Sequence, residues 1–195
     1  MIFADAWDDA ITSESDVYAT AREGGTLSLQ PVATTVSVGQ FFADGLYDCF
    51  EAFFGFDTSS IAGAITSVDF ALYCFISDTD FTLEARLFDC GDSVETTDFQ
   101  PGSALDSLQL LASLPTLGLG TAYQPFTDAA FTTNINQSGF TRCIVVSDRH
   151  RLDLSPSGLE YIAFSSADHT GTSQDPKLTI VYGETELPPS NVMFA

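Results

Sequence analysis

The chain has 195 residues and a formal net charge of −21, from 27 acidic and only 6 basic side chains. So few Lys and Arg residues argue against direct binding to nucleic acid, which needs cations against its phosphates, and against docking on anionic lipid. No stretch approaches the ~18 consecutive apolar residues of a membrane-spanning helix. Hydrophobic residues make up 45% of the chain, which is enough for one full core.

The N-terminal half of the sequence predicts strands separated by turns. Residues 1–14 are acidic and predict an arm, residues 16–22 predict a first strand, and residues 46–56 predict a long aromatic strand. Residues 65–77 alternate strictly between apolar and polar side chains, which is the period of a half-buried antiparallel strand. A turn at 77–80 and a second alternating segment at 81–88 then predict a hairpin.

The C-terminal half continues this pattern. Residues 90–103 predict a polar loop, residues 104–114 an extended segment and residues 128–134 a short helix. Three further strands are predicted, at 140–147, 158–165 and 177–182. Residues 184–195, which include Pro188 and Pro189, predict a C-terminal arm. The fold class that follows is all-β: an antiparallel β-sandwich of jelly-roll type over residues 15–183, with flexible arms at 1–14 and 184–195.

The cysteines and the N-terminus bear on the folding compartment. Cys49, Cys74, Cys90 and Cys143 lack metal-ligand spacing, which predicts free and mostly buried thiols, with one inter-strand disulfide as the alternative. The first residues lack the basic and apolar regions of a signal peptide. If Met1 is the natural start, this predicts folding in a cytoplasm.

The candidate catalytic residues are few. Ser166, Asp168 and His169 supply the residue types of a triad, but they lie too close together in sequence to form one among themselves. A glycosidase needs two opposed carboxylates, and in a chain with 27 acidic residues such a pair arises by chance. The strand carboxylates considered are Glu51, Glu84 and Glu160. No catalytic residue and no cofactor are predicted, and the chain is interpreted as not being an enzyme.

Metal binding stays open at the sequence level. Oxygen-rich turns can hold Ca²⁺, and Asp78 and Asp80 are weak candidates for a structural Ca²⁺ site. Neither they nor the acidic residues near 89–92 and 168–175 match a calcium-loop pattern. Solvated turns are the alternative.

Contacts with partners are predicted at the basic cluster, the arms and the aromatics. Both histidines are expected in surface loops, and the cluster at 149–151 either pairs with carboxylates of a neighbouring subunit or forms local ion pairs worth ~0–1 kcal/mol each. The predicted partner-binding residues are Trp7, Arg149, His150, Arg151, Pro188 and Phe194. The aromatic residues that could form a sugar-binding platform are Tyr47, Tyr123 and Tyr161.

Three sequence blocks carry a family resemblance. They are the aromatic strand that ends in Phe56-Asp57-Thr58-Ser59-Ser60-Ile61, the strand that begins Ile65-Thr66-Ser67-Val68, and the C-terminal pair formed by residues 160–168 and 175–182. Together they resemble the DNRLRE family, jelly-roll-like modules related to archaeal disaggregatase. The resemblance covers residues 15–183. The sequence pattern is similar to that of single-domain versions encoded among the structural proteins of tailed phages.

The resemblance implies a non-enzymatic β-sandwich of extracellular, cell-wall or virion surfaces. Combined with the missing signal peptide, it favours a virion structural protein of a tailed phage or virus, in capsid decoration, a head fibre or tail adhesion, that folds in the host cytoplasm before assembly. The implied partners are other virion proteins, further copies of the chain with a trimer favoured, and a host surface glycan. The alternative is a carbohydrate-binding module of a cell-surface or biofilm protein.

Overall fold

The computed structural model describes residues 2–3, 8–30, 34–76, 80–128, 130–169, 171 and 173–183. Within these residues the chain forms strands joined by turns, two short α-helices and three single 3₁₀ turns. The strands are β1 (Ile2–Phe3), β2 (Ala10–Ser15), β3 (Thr26–Leu29), β4 (Thr35–Ala43), β5 (Leu46–Asp57), β6 (Ile65–Ile76), β7 (Thr82–Leu87), β8 (Leu110–Pro115), β9 (Tyr123–Pro125), β10 (Thr127–Asp128), β11 (Phe140–Ser147), β12 (Leu159–Ser165) and β13 (Lys177–Tyr182).

The helical segments are short and lie between strands. They are α1 (Tyr18–Arg22), α2 (Asp148–Arg151) and the 3₁₀ turns Thr96–Asp98, Leu105–Ser107 and Phe131–Thr133. Among the described residues, none of these helices has the length and apolar character needed to cross a lipid bilayer.

All strand pairs are antiparallel, and the predicted all-β, jelly-roll class of sandwich is confirmed. The strands follow the spatial order β1-β13-β6-β12-β4-β5-β11-β7-β8-β10, with β2 paired to β5 and β3, and β9 paired to β6. Strands that are neighbours in the sheet are therefore often distant in sequence, and long connections cross between strands that follow one another in the chain. Such connections are typical of jelly rolls, in which sequential strands often lie in different parts of the sheet.

The main core fills the space between the two halves of this folded sheet. Its aromatic centre is Phe70 of β6, whose ring centroid lies 5.8 Å from that of Phe54 and 5.9 Å from that of Phe56, both on β5. Phe126 and Phe131 complete the group around Phe70. Large flat rings with alternating small residues fill a sandwich interior of about 10 Å thickness, which explains the Phe-rich composition.

A second, smaller core lies on the opposite face of β5 and β11. There Phe53, Cys49 and Ile144 are buried beneath α1 and the segment of residues 88–108. Because β5 is covered on both faces, nearly all of its central side chains are buried. The strand therefore shows a continuous apolar run instead of simple alternation.

The predicted hairpin between residues 65–77 and 81–88 is wrong. The alternation within each strand is confirmed, since Phe70, Leu72 and Leu83 face the core. However, β6 pairs with β12, β13 and β9, whereas β7 pairs with β11 and β8. Alternation identifies the buried face of a strand but not its neighbour. Of the turn predicted at 77–80, residues 77–79 lie outside the described residues.

Two predictions near the N-terminus need correction. The arm at residues 1–14 includes β2, which pairs with β5 and buries Ala10 and Ile11 completely. Ile2 and Phe3 pair with β13. The strand predicted at 16–22 is instead α1, a short helix that Gly24, in the left-handed region, terminates. The C-terminal arm at 184–195 lies outside the described residues.

The remaining elements follow the sequence more closely. The strands predicted at 140–147, 158–165 and 177–182 are present as β11, β12 and β13. The predicted short helix at 128–134 is reduced to one 3₁₀ turn, and the segment 104–114 is a 3₁₀ turn followed by β8. All four cysteines are buried and free, as expected for thiols that are not paired.

Gly39 provides a direct test of this packing. Its φ is +129°, and a Cβ at this position would lie 2.4 Å from the Glu160 carbonyl oxygen and 2.7 Å from the Tyr161 Cα. We expect Gly39→Ala to lower the free energy of unfolding by about 1–3 kcal/mol from backbone strain, plus the cost of the clash. Gly118 is the control, since its φ is +77° but nothing lies within 4 Å. In urea unfolding, equal losses in the two variants would show that the close approach of β4 and β12 is absent.

Candidate functional site

The basic cluster of residues 149–151 forms α2, which directly follows β11. The Ser147 hydroxyl accepts a hydrogen bond from the Arg149 backbone N–H and begins the helix. The side chain of Arg149 then pairs with Glu160 at 3.0 Å and donates to the Asp80 carbonyl. The cluster is therefore bound to its own neighbouring strands.

Arg151 lies in a network of buried charges on the outer face of β7. Its guanidinium donates to both oxygens of Glu84, at 2.9 to 3.3 Å, and to Asp106 at 3.1 Å. Glu84 also accepts two bonds from Arg86, which donates in addition to the carbonyls of Leu105 and Leu108. The network ties α2 and β7 to the segment around 105–108. Two arginines on one carboxylate fix its orientation.

His150 is fully buried, so its prediction as a surface, partner-binding residue is wrong. Its Nε2 lies 3.0 Å from the Arg22 carbonyl oxygen, which can only accept, so Nε2 carries a proton. Its Nδ1 faces Glu51 Oε1 at 3.5 Å, and neither atom has another hydrogen-bond partner among the described residues. The Gln100 backbone N–H donates to the other Glu51 oxygen.

Burial dominates the protonation of this pair. It raises the pKa of Glu51 well above the usual range and lowers the pKa of His150 to about 4. Both shifts favour the uncharged forms, so we assign the pair as a neutral carboxyl that faces a neutral imidazole across 3.5 Å. Burial also raises the pKa of the adjacent Cys49 thiol, which makes it unreactive. The arrangement is a structural polar pair within the second core.

The three predicted glycan-platform tyrosines lie in separate places. The ring of Tyr47 lies 4.4 Å from that of Phe42. The Tyr123 hydroxyl bonds with the carbonyls of residues 173 and 175, and its ring carries the Lys177 ammonium at 3.4 Å. Tyr161 packs against Phe41 and Phe50. The structure does not bring them together into one platform.

The remaining predicted residues have mixed outcomes. Trp7, Asp78, Pro188 and Phe194 lie outside the described residues. Asp80 is exposed and uses its backbone carbonyl to bind Arg149. The acidic turn at 89–92 pairs with Arg142. Among the residues that the structure describes, no three metal-ligating side chains converge.

A cleft of about 410 Å³ opens beside β7 and β11. Phe88, Leu108 and Phe140 supply its apolar lining, and Asp89 and Arg142 supply its charges. The Arg142 guanidinium lies 5.0 Å from the centre of the Phe140 ring. Rings beside hydrogen-bonding side chains are a combination that sugars and other small polar ligands use. This cleft has no signal in the sequence, because residues 88, 108 and 140 are far apart in the chain.

A second feature missed from the sequence lies at the far end of the β4–β5 hairpin. Strand register places Glu14, Asp48, Phe41 and Leu159 in one row across β2, β5, β4 and β12. Residues directly opposite in antiparallel strands project on the same face. We call this surface the Asp48 face. Only the cross-strand register reveals it, since its members come from four separate segments.

Aromatic rings adjoin this row. Phe50 and Tyr161 lie opposite one another across Gly39, whose missing side chain lets their ring centroids approach to 5.7 Å. Phe41 stacks on Phe50 at 5.6 Å with an interplanar angle of 11°. The Asp48 face therefore combines carboxylates with the half-buried rings of Phe41 and Tyr161 and the buried ring of Phe50.

No protein-family model matches this sequence, and a search of curated proteins finds no significant match. The resemblance to the DNRLRE family consequently stays a prediction that rests on the sequence blocks themselves.

The Glu51–His150 pair yields a test with a defined sign. When folding raises the pKa of a carboxyl, the protein becomes less stable as pH rises above the pKa that this carboxyl has in the unfolded chain. Glu51→Gln can donate to His150 Nδ1 and accept from Gln100 without ionising. We expect its stability relative to the wild type to improve from pH 5 to pH 8, by up to about 1.4 kcal/mol per pH unit. Urea unfolding across this range measures the difference.

The opposite charge state gives a different result. If the pair were an ionised carboxylate with an imidazolium, Glu51→Gln would strand a buried cation. It would then be strongly destabilised at every pH, by about 3–5 kcal/mol. That outcome would contradict the neutral pair.

Proposed function

We propose that this chain is a non-enzymatic structural protein of a virion, which attaches to other virion proteins through the end of its sandwich near the β4–β5 turn. The observation that carries the proposal is the apolar character of this end. Phe42 and Leu46 are each 36% exposed and Leu159 is 63% exposed, although the surrounding chain is strongly acidic. Clustered exposed apolar side chains mark surfaces that contact other proteins.

Contacts connect these residues into one end of the molecule. The Phe42 backbone N–H donates to the Gly158 carbonyl, and Phe41 lies opposite Leu159 in register. The Leu154 carbonyl accepts from Gln40, so Leu154 lies with Phe42 on the face of this end opposite to Leu159. We call Phe42, Leu46, Leu154 and Leu159 the hairpin end. The jelly-roll class of fold and the sequence resemblance support the same role, as capsid decoration, head fibre or tail adhesion protein.

Quantitative mass spectrometry of purified virus particles tests the virion role. We expect the chain at a fixed, many-copy stoichiometry in particles produced by the source that encodes it, since virion proteins act in symmetric copies. Presence in the lysate but not in the particles would contradict the proposal.

Substitutions test the attachment surface. Leu46→Asp with Leu159→Asp adds charge to the hairpin end and should reduce incorporation into particles at least tenfold, because a charge buried without a partner is costly in an interface. Val181→Asp with Tyr182→Asp is the matched control, since both side chains are also exposed on a strand, at the end of β13. Equal incorporation of both variants would exclude the hairpin end.

The oligomer prediction is tested separately. Light scattering of the purified chain, with and without EDTA, measures its mass in solution. A stable trimer supports self-assembly, and a trimer lost in EDTA supports structural Ca²⁺. A monomer would leave attachment to other virion proteins as the proposed mode of action.

A second candidate function is carbohydrate binding, which the cleft beside β7 and β11 favours. Its Phe88 and Phe140 rings next to Arg142 and Asp89 could hold a sugar ring against polar groups. A glycan array with the wild type, Phe140→Ala and Tyr161→Ala tests it. Binding lost only in Phe140→Ala would assign the cleft, binding lost only in Tyr161→Ala would assign the Asp48 face, and no binding by the wild type would contradict this function.

A further inference from the structure

All six basic side chains of this protein are already engaged within the monomer. The five arginines pair with carboxylates or carbonyl oxygens, and the one lysine lies over the Tyr123 ring. The arginine pairs are Arg22 with Glu23 and Asp153, Arg86 with Glu84, Arg142 with Asp89 and Asp92, Arg149 with Glu160, and Arg151 with Glu84 and Asp106. These pairs use only seven of the 27 acidic side chains.

Asp48 is an acidic residue that folding places among other acids and aromatic rings without a cation. It is only 7% exposed, and its carboxylate makes no hydrogen bond or ion pair with any described residue. Glu14 lies directly opposite it on β2, and Phe41 lies directly opposite it on β4. A carboxylate with little access to water and no partner is costly, and a second acid beside it adds repulsion. Burial and the Glu14 charge accordingly raise the pKa of Asp48.

The neighbouring cavity has the same acidic character. A groove of about 590 Å³ runs beside the β2–α1 turn, and Glu14, Asp16 and Leu46 contribute to its walls. None of the eight residues that line it is basic. Leu46 connects this groove to the hairpin end, so acidic and apolar surfaces adjoin.

We propose that the Asp48 face binds an arginine or lysine side chain of a different protein, carried on an apolar segment that covers the hairpin end. Asp48 and Glu14 would pair with the cation, and the rings of Phe41 and Tyr161 would receive its flat or methylene surface. Guanidinium groups bind carboxylates and aromatic faces together.

A second copy of the chain is a poor occupant of this surface. Each copy has a net charge of −21, and each of its cations is bound to its own carboxylates, carbonyls or tyrosine ring. Self-association through the Asp48 face would therefore bring acids together without a counter-ion. The inference rests on the proposed role in protein–protein contact, but it does not depend on a virion.

The test uses a probe peptide, because the natural partner is unidentified. A fluorescein-labelled nine-residue peptide that alternates leucine and arginine is titrated with the full chain, and binding is followed by anisotropy. The control peptide has citrulline, a neutral isostere, in place of every arginine. We expect the arginine peptide to bind at least tenfold more tightly than the citrulline peptide.

Variants locate the binding. The double variant Asp48→Asn with Glu14→Gln should weaken binding at least tenfold, and Tyr161→Leu at least threefold. The control, Asp69→Asn with Asp80→Asn, removes the same net charge at exposed positions outside this row and should change binding less than twofold. Thermal unfolding of each variant verifies that it is folded.

Three outcomes would overturn the inference. The first is equal weakening of binding by the control double variant, which would mean non-specific attraction to an acidic protein. The second is equal binding of the citrulline peptide. The third is Tyr161-dependent binding of a glycan without any binding of the peptide. If peptide binding fails but the chain still enters particles through the hairpin end, this inference falls and the proposed function stands. If peptide binding follows the expected pattern but the chain is absent from particles, this inference stands and the proposed virion function falls.

Discussion

The fold depends on the buried charge network around α2. Arg151 and Arg86 share the Glu84 carboxylate, and Arg86 also binds two carbonyl oxygens of the segment that covers the second core. Removing one member of such a network leaves an uncompensated charge in a site with little water. The network therefore joins β7, α2 and the 105–108 segment more specifically than apolar packing alone could.

Because the basic side chains pair within the molecule, they leave the surface predominantly acidic. With few basic residues and all of them bound internally, the outside of the molecule is acidic and has no positive patch of its own. An acidic surface keeps the protein soluble and repels copies of itself. Under the proposed function, specific contacts would use the exposed apolar end or cations that a partner supplies, and Leu159 belongs to both the hairpin end and the Asp48 face.

The sequence predicted the class of fold well and the site poorly, for one physical reason. Alternation in residues 65–77 correctly assigned Phe70 and Leu72 to the core, because periodicity is a local property of a strand. Which strands pair depends on residues far apart in the chain. The hairpin predicted over residues 65–88 was therefore wrong, and the row from Glu14 to Leu159 could not be predicted from the sequence. His150 shows the same limit, since its flanking arginines suggested a surface loop, whereas Glu51, 99 residues earlier, forms its buried partner.

The most direct test of this account is a double-mutant cycle between Arg151 and Glu84. The variants are Arg151→Met, Glu84→Gln and their combination, and their free energies of unfolding are compared with that of the wild type. The account predicts a coupling energy of about 2 kcal/mol or more, as for charged hydrogen bonds in a buried setting. A coupling below about 0.5 kcal/mol is typical of exposed ion pairs. It would contradict the account, because the basic cluster would then be free to serve an external partner.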